Sequence, residues 1–301
     1  RRAGRRGALG VSAAPQQNKP RVIAVASGKG GTGKTTVSLN LARTAGAGVR
    51  LLDCDVEEPN AHLFLRAELL AEETAGIPVP RVDPALCDGC GECARFCAYN
   101  ALACFDGPPL VFQDMCHGCG GCMKVCPRGA ITEKDHRIGV VETLRAGDIT
   151  LVQGRLDVGR AMAPPLIHAV KRHAAGGGPV VLDAPPGTSC PVIATLRDAD
   201  VVVLVTEPTP FGLNDLALAV DTVRTLGRPF GVVVNRMGSG DGRVHDYCAR
   251  ENVPVYAEIP DDRRIAEAYS RGELLVDALP EYRPLFAALL ETALARAEGA
   301  A

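Results

Sequence analysis

A chain of 301 residues with 47% hydrophobic content is long enough for one large α/β domain with a small insertion, or for two modest domains. Its formal net charge of −2 gives no basic field for nucleic acid, and no apolar run approaches the ~20 residues of a membrane-spanning helix. Of its twelve cysteines, eight stand in two regular groups between Cys87 and Cys126. Such clustering, behind a start without the apolar stretch of a signal peptide, predicts metal ligation in a reducing, cytoplasmic setting rather than a disulfide framework.

Residues 1–20 are basic and rich in Ala, Gly and Gln, and read as a flexible tail. Residues 21–27 (RVIAVAS) predict a buried strand, followed by a Gly-rich turn and a helix through Ala45. A second short apolar run, residues 49–53, ends in acidic residues. Residues 180–183, 201–206 and 231–235 are further β-branched runs. Helical patterns cover 159–173, 213–226, 261–271 and about 281–297. Strands alternating with amphipathic helices predict an α/β fold with a mainly parallel sheet and helices on both faces. Ser27, Asp53, Asp183, Thr206 and Asn235 then fall at carboxyl ends of strands, where open α/β sheets place ligands.

The alternation breaks over residues 84–134, where turns and cysteines replace long apolar runs. The segment repeats internally. Cys87, Cys90, Cys93 and Cys97 have the spacing C-x2-C-x2-C-x3-C, and Cys116, Cys119, Cys122 and Cys126 have it again. Residues on both sides are needed for one nucleotide site, so this segment reads as an insertion into a domain made of residues 21–83 and 135–301.

Gly28-Lys29-Gly30-Gly31-Thr32-Gly33-Lys34-Thr35, followed by Thr36, fits G-x-x-x-x-G-K-[ST] between a strand and a helix. Glycines let backbone N–H groups curl around phosphate oxygens, and the helix N-terminus adds a favourable dipole. Lys34 reaches the β- and γ-phosphates in such a loop, and the Thr35 hydroxyl takes a Mg²⁺ position.

This stretch resembles the deviant phosphate-binding loop of the MinD/Mrp/ParA family, which includes the nitrogenase iron protein. The resemblance covers about residues 21–83 and 135–297. It implies a P-loop ATPase in which Lys29, the signature lysine, reaches across a nucleotide-dependent dimer to the partner subunit's nucleotide. The dimer is a homodimer or is formed with a paralogue. It implies that Asp55, in LLDCDVEEPN, positions the attacking water, while Asp53 supports the metal or the loop. VVLDAPPG resembles the family's second metal-binding strand and switch, so that Asp183 holds Mg²⁺ through water and the Pro-Pro-Gly turn senses the γ-phosphate. Asn235 resembles the adenine-contacting Asn, and residues 206–209 a loop near the nucleoside.

The cysteine run is that of bacterial dicluster ferredoxins, in which the fourth cysteine of each run ligates the other cube. The expected sets are therefore crossed: Cys87, Cys90, Cys93 and Cys126 for one [4Fe–4S] cluster, and Cys116, Cys119, Cys122 and Cys97 for the other. Zinc sites use pairs of C-x2-C rather than triplets with a fourth cysteine. Pro127 follows the second run as that pattern expects, whereas Ala98 follows the first. Cys54, Cys104 and Cys248 read as packed thiols. Cys190, seven residues after Asp183, resembles in position the bridging-cluster ligand of the nitrogenase iron protein, without a clear second cysteine to match it. His117 reads as a surface residue beside the cluster ligands.

Three functions compete. The first is an ATPase whose nucleotide state is coupled to electron transfer or metallocluster handling, with ATP, Mg²⁺ and two [4Fe–4S] clusters, and a redox or metallocluster-binding protein as partner. The second is a cluster carrier of the Mrp type, although only Cys248 stands where such carriers have a C-x-x-C. The third is a spatial organiser like MinD or ParA, against which the last helix lacks the basic face of a membrane anchor.

Overall fold

The computed structural model describes residues 20–299, so the tail expected over residues 1–20 lies, but for its last residue, outside the described residues. The first half of the chain runs β1 (Val22–Ala26), α1 (Lys34–Ala45), β2 (Arg50–Asp53), α2 (His62–Leu65), β3 (Glu68–Val82), α3 (Glu92–Phe96), β4 (Leu102–Ala103), β5 (Leu110–Val111), α4 (Gly121–Val125), β6 (Ile131–Ala146) and β7 (Ile149–Leu156). The second half runs α5 (Pro164–Lys171), β8 (Val180–Asp183), α6 (Cys190–Leu196), β9 (Val201–Thr206), α7 (Pro210–Thr225), β10 (Phe230–Met237), α8 (Arg243–Arg250), β11 (Val255–Pro260), α9 (Arg263–Ser270), α10 (Leu275–Ala278) and α11 (Arg283–Glu298).

Nine strands form one sheet in the order β11-β10-β9-β1-β8-β2-β7-β6-β3. The strands from β11 to β7 pair in parallel, whereas β6 is antiparallel to both β7 and β3. Every residue of β1 (VIAVA), β8 (VVLD) and β9 (VVVLVT) is buried. Continuous apolar runs of this kind suit a parallel sheet covered on both faces. Alternate residues of β1 feed separate cores. Val22, Ala24 and Ala26 meet Leu166 and Val170 of α5, Leu196 of α6 and Val220 of α7. Ile23 and Val25 meet Val37 and Leu41 of α1 and Phe286 and Leu289 of α11.

Strands β3 and β6 are much longer than the rest and pair along their length, from Glu68↔Arg145 to Val82↔Ile131. Residues 83–130 lie between their far ends and carry α3, α4 and the β4–β5 pair. This part has its own small core of Cys93, Leu102 and Ile131. The last residues assigned from sequence to the insertion, 131–134, lie in β6 and so in the main sheet.

Helix α5 starts at Pro164 rather than at residue 159. The prolines Pro164 and Pro165 occupy its first turn, where a missing N–H costs nothing. Residues 157–163 instead form the loop that leaves β7. No helix among the described residues is long and apolar enough to cross a membrane.

Candidate functional site: a phosphate loop and two cysteine-lined cavities

The loop between β1 and α1 is shaped by left-handed glycines, Gly31 at φ 79° and Gly33 at φ 92°. A Cβ on Gly33 would stand 2.4 Å from Nδ2 of Asn235, so a side chain is excluded by space as well as by backbone conformation. Asn235, at the end of β10, donates from Nδ2 to the Thr32 carbonyl at 2.8 Å and so braces the loop. The Thr32 hydroxyl is buried with no hydrogen-bond partner among the described residues.

Asp183, at the carboxyl end of β8, is fully buried against the start of α1. It accepts from Thr35 Oγ1 at 2.7 Å, from Ser38 Oγ at 3.0 Å and from Lys34 Nζ at 3.3 Å. Lys34 is 8% exposed. Burial works against its charge, but the carboxylates of Asp183, Asp55 and Asp53 outweigh this and hold its pKa above the usual value. Asp53 stands directly opposite Asp183 in the β2–β8 register and is also fully buried. It accepts from the backbone N–H groups of Asp55, Asn60 and Ala61, each at 3.1 Å, which fixes the loop leaving β2. Burial, then the charge of Asp183, pushes the Asp53 carboxyl up. Burial also raises Asp55, to about 6, against the pull of Lys34. The Gly187 N–H of the Pro-Pro-Gly turn donates to the Ser27 carbonyl at 3.0 Å, tying that turn to the end of β1.

Oxygen donors grouped around one lysine suit a magnesium–triphosphate ligand. Thr35, Asp183 and Asp53 fit the metal, and the curled loop with its unpartnered Thr32 hydroxyl fits phosphate oxygens. The structure brings together Gly28, Lys34, Thr35, Asp53, Asp55, Asp183 and Asn235 at one sheet edge. Lys29 lies at the same edge, 3.8 Å from Glu207. Glu207 is also paired with Arg236 at 3.0 Å.

Ser38 and Gln153 escaped the sequence reading. Ser38 lies one turn after Lys34 on α1, a signal that was legible. Gln153 ends the apolar run of β7 and pairs in register with Asp53. Its Oε1 accepts from His62 Nδ1 at 3.1 Å and its Nε2 donates to Glu142 at 2.7 Å, and Glu142 accepts from Arg155 at 2.8 Å. A row of register partners therefore crosses five strands: Asp183, Asp53, Gln153, Glu142 and Glu72. It leads from the phosphate site to the ribbon of β3 and β6.

At the far end of that ribbon, the sequence repeat is also a repeat of backbone shape. Gly89 and Gly91 precede α3, Gly118 and Gly120 precede α4, and all four are left-handed. The Ala101 N–H donates to Cys97 Sγ and the Ala130 N–H to Cys126 Sγ, both at 3.3 Å. Cys87, Cys90, Cys93 and Cys126 line one cavity, together with Cys104. Cys97, Cys116, Cys119 and Cys122 line a second, larger one. The fourth cysteine of each run thus joins the other run's triplet. Among the described residues no three metal-ligating side chains converge on a single point; the thiols line the cavity walls. Soft thiolates, four around the second cavity and four plus Cys104 around the first, with N–H donors aimed at sulfur, fit a [4Fe–4S] cube in each.

His117 stacks on Tyr99 at 3.7 Å beside the second cavity. Asp114, two residues before Cys116, is bonded to Arg160 of the loop after β7 and lies 3.3 Å from His136 of β6. Cys54 and Cys248 are buried, and Cys190 is exposed at the first turn of α6.

The model of the CobQ/CobB/MinD/ParA nucleotide-binding domain matches residues 23–276. The chain belongs to this family of P-loop nucleotide-binding proteins. An uncharacterised protein of Methanocaldococcus jannaschii is 31% identical over 266 residues, covering 84% of this chain and 90% of the relative. A Pyrococcus abyssi protein named iron-sulfur cluster carrier protein is 26% identical over 270 residues, 83% of this chain and 77% of its own. Among solved structures, the cell-division ATPase MinD of Pyrococcus furiosus aligns at TM-score 0.54 and 21% identity, over 93% of this chain and 99% of MinD. That likeness is one of fold. It establishes the α/β P-loop architecture with its mainly parallel sheet.

Proposed function

We propose that this protein binds and hydrolyses ATP and couples its nucleotide state to two [4Fe–4S] clusters carried on the β3–β6 ribbon. The observation that carries the reading is continuity. The strand row that starts at the phosphate-site carboxylates Asp183 and Asp53 ends on the two strands that hold both cysteine-lined cavities.

In this reading Lys34 and the N–H groups of Gly28, Gly30, Gly31, Thr32, Gly33, Thr35 and Thr36 grip the phosphates. Thr35 and Asp183, with Asp53 behind them, hold Mg²⁺. Asp55 orients the attacking water at the exit of β2. Lys29 leaves Glu207 and neutralises charge at the γ-phosphate of a second subunit, in the manner of an arginine finger. Asn235, bracing Thr32, stands at the rim where an adenine would lie. The clusters, when bound, supply one-electron carriage. Closure of the dimer on ATP changes the turn at Gly187 and the loop after Asp53, and the row through Gln153 and Glu142 carries the change to the ribbon. A redox or metallocluster-binding protein is the partner that this arrangement serves.

A second reading, transfer of clusters to apoproteins, is favoured by the relatives named iron-sulfur cluster carrier proteins. Two experiments separate them. Oxygen-free protein is assayed for iron and sulfide, and its ATP turnover is measured oxidised and reduced. Coupling predicts two cubes per chain and a turnover that depends on redox state. Rapid loss of a cube to an apo-acceptor, with turnover indifferent to redox state, selects the carrier.

A further inference from the structure

Among the wall residues in which the two cavities differ, one pair is related by the repeat. Cys104 lies seven positions after Cys97, and its counterpart seven positions after Cys126 is Glu133. Both face the equivalent glycine. The Cys104 Cβ comes 3.9 Å from where a side chain on Gly91 would stand, and Glu133 Oε1 comes 3.4 Å from the same point on Gly120. Accordingly Cys104 lines the first cavity and Glu133 the second. The β4–β5 pair, Leu102↔Val111 and Ala103↔Leu110, fixes the backbone just before Cys104. Its side chain packs on the small core of Cys93, Leu102 and Ile131. The first cavity thus has five thiols and the second four.

Resting on the dicluster reading, we infer that Cys104 is a reserve ligand for the cluster of the first cavity, able to take the iron of Cys93. The exchange breaks one iron–sulfur bond, to Cys93, and forms one, to Cys104. The Cys104 proton passes to water, Cys93 takes one up, and no electron changes hands. The cluster between Cys87, Cys90, Cys93 and Cys126 therefore tolerates loss of a ligand. The cluster of the second cavity, where Glu133 offers a hard carboxylate in place of a soft thiolate, does not.

The test is iron and sulfide content, with electron paramagnetic resonance of the reduced state, on full-length protein reconstituted without oxygen. Wild type and Cys104→Ala hold both clusters. Cys93→Ala keeps the wild-type iron content with an altered spectrum, whereas Cys93→Ala/Cys104→Ala loses about half the iron. Cys122→Ala, at the position equivalent to Cys93, loses about half on its own, and adding Glu133→Cys restores it. Alkylation followed by mass spectrometry gives a second readout: Cys104 reacts in loaded wild type and is protected in loaded Cys93→Ala. Equal iron loss in Cys93→Ala and the double variant, with ADP binding retained, overturns the inference and leaves the dicluster reading standing. Wild type without clusters overturns both.

Discussion

Lys29 of the phosphate loop and Glu207 of the loop after β9 are ion-paired at 3.8 Å, and Glu207 is only 8% exposed. Arg236 holds the same carboxylate at 3.0 Å. The lysine proposed to act on a second subunit's nucleotide is thus parked within its own chain. Lys29→Ala is expected to lower ATP turnover at least ~10²-fold while leaving ATP binding near wild type, by analogy with arginine-finger losses. Glu207→Gln is expected to let the ATP-bound dimer form at lower protein concentration. Phosphate release and sedimentation velocity measure the two effects. Unchanged turnover in Lys29→Ala would remove this lysine from the mechanism.

The facing carboxylates Asp53 and Asp183 store a cost in the nucleotide-free protein. Burial and the neighbouring Asp183 raise the Asp53 pKa above its unfolded value. For an acid so shifted, stability falls as pH rises from the ordinary carboxylate range near ~4 through the folded value. Asp53→Asn is therefore expected to stabilise the nucleotide-free chain at pH 8 by on the order of 1 kcal/mol and to flatten its pH dependence. It should weaken magnesium-dependent nucleotide binding at the same time. Thermal melts across pH 5–8 check the first point, and a wild-type slope retained in the variant would contradict it.

Glu142 behaves in the opposite sense. Burial pushes its carboxyl up, but the Gln153 amide, and then the bond and charge of Arg155, hold it below the usual range. Its contribution is complete above about pH 4.5 and is lost as pH falls through the folded value. Glu142→Gln is expected to cost about 1 kcal/mol at pH 7 and to match wild type in strong acid. Denaturant titrations at pH 7 and pH 3 make the comparison.

Gln153 links that carboxylate to His62, directly after the loop whose N–H groups bond Asp53. In the proposed mechanism it positions the loop that carries Asp55. Gln153→Ala is expected to lower kcat several-fold with KM for ATP little changed, because the phosphate contacts stay intact. A rise in KM at constant kcat would place its effect on binding instead.

Much of this was legible in the residues. The runs VVLD and VVVLVT delimit β8 and β9 to the residue because β-branched side chains fill both faces of a covered strand. The phosphate loop and the doubled cysteine run carry fixed spacings. Strands β3 and β6 were not legible. β3 is an edge strand with Glu68, Glu72, Glu73, Pro78 and Pro80, residues that suppress a strand signal and that edges tolerate. The Lys29–Glu207–Arg236 cluster and the Gln153 row depend on which strand ends become neighbours, and local pattern does not carry that order.

In the proposed mechanism nucleotide and clusters share one free-energy balance. A reductive titration of oxygen-free protein, followed by electron paramagnetic resonance with and without magnesium and a non-hydrolysable ATP analogue, measures it. Signals from two [4Fe–4S] clusters are expected, at least one of whose potentials moves with nucleotide; ~59 mV would correspond to tenfold coupling. Two clusters with potentials identical in both conditions, under saturating nucleotide, would contradict it.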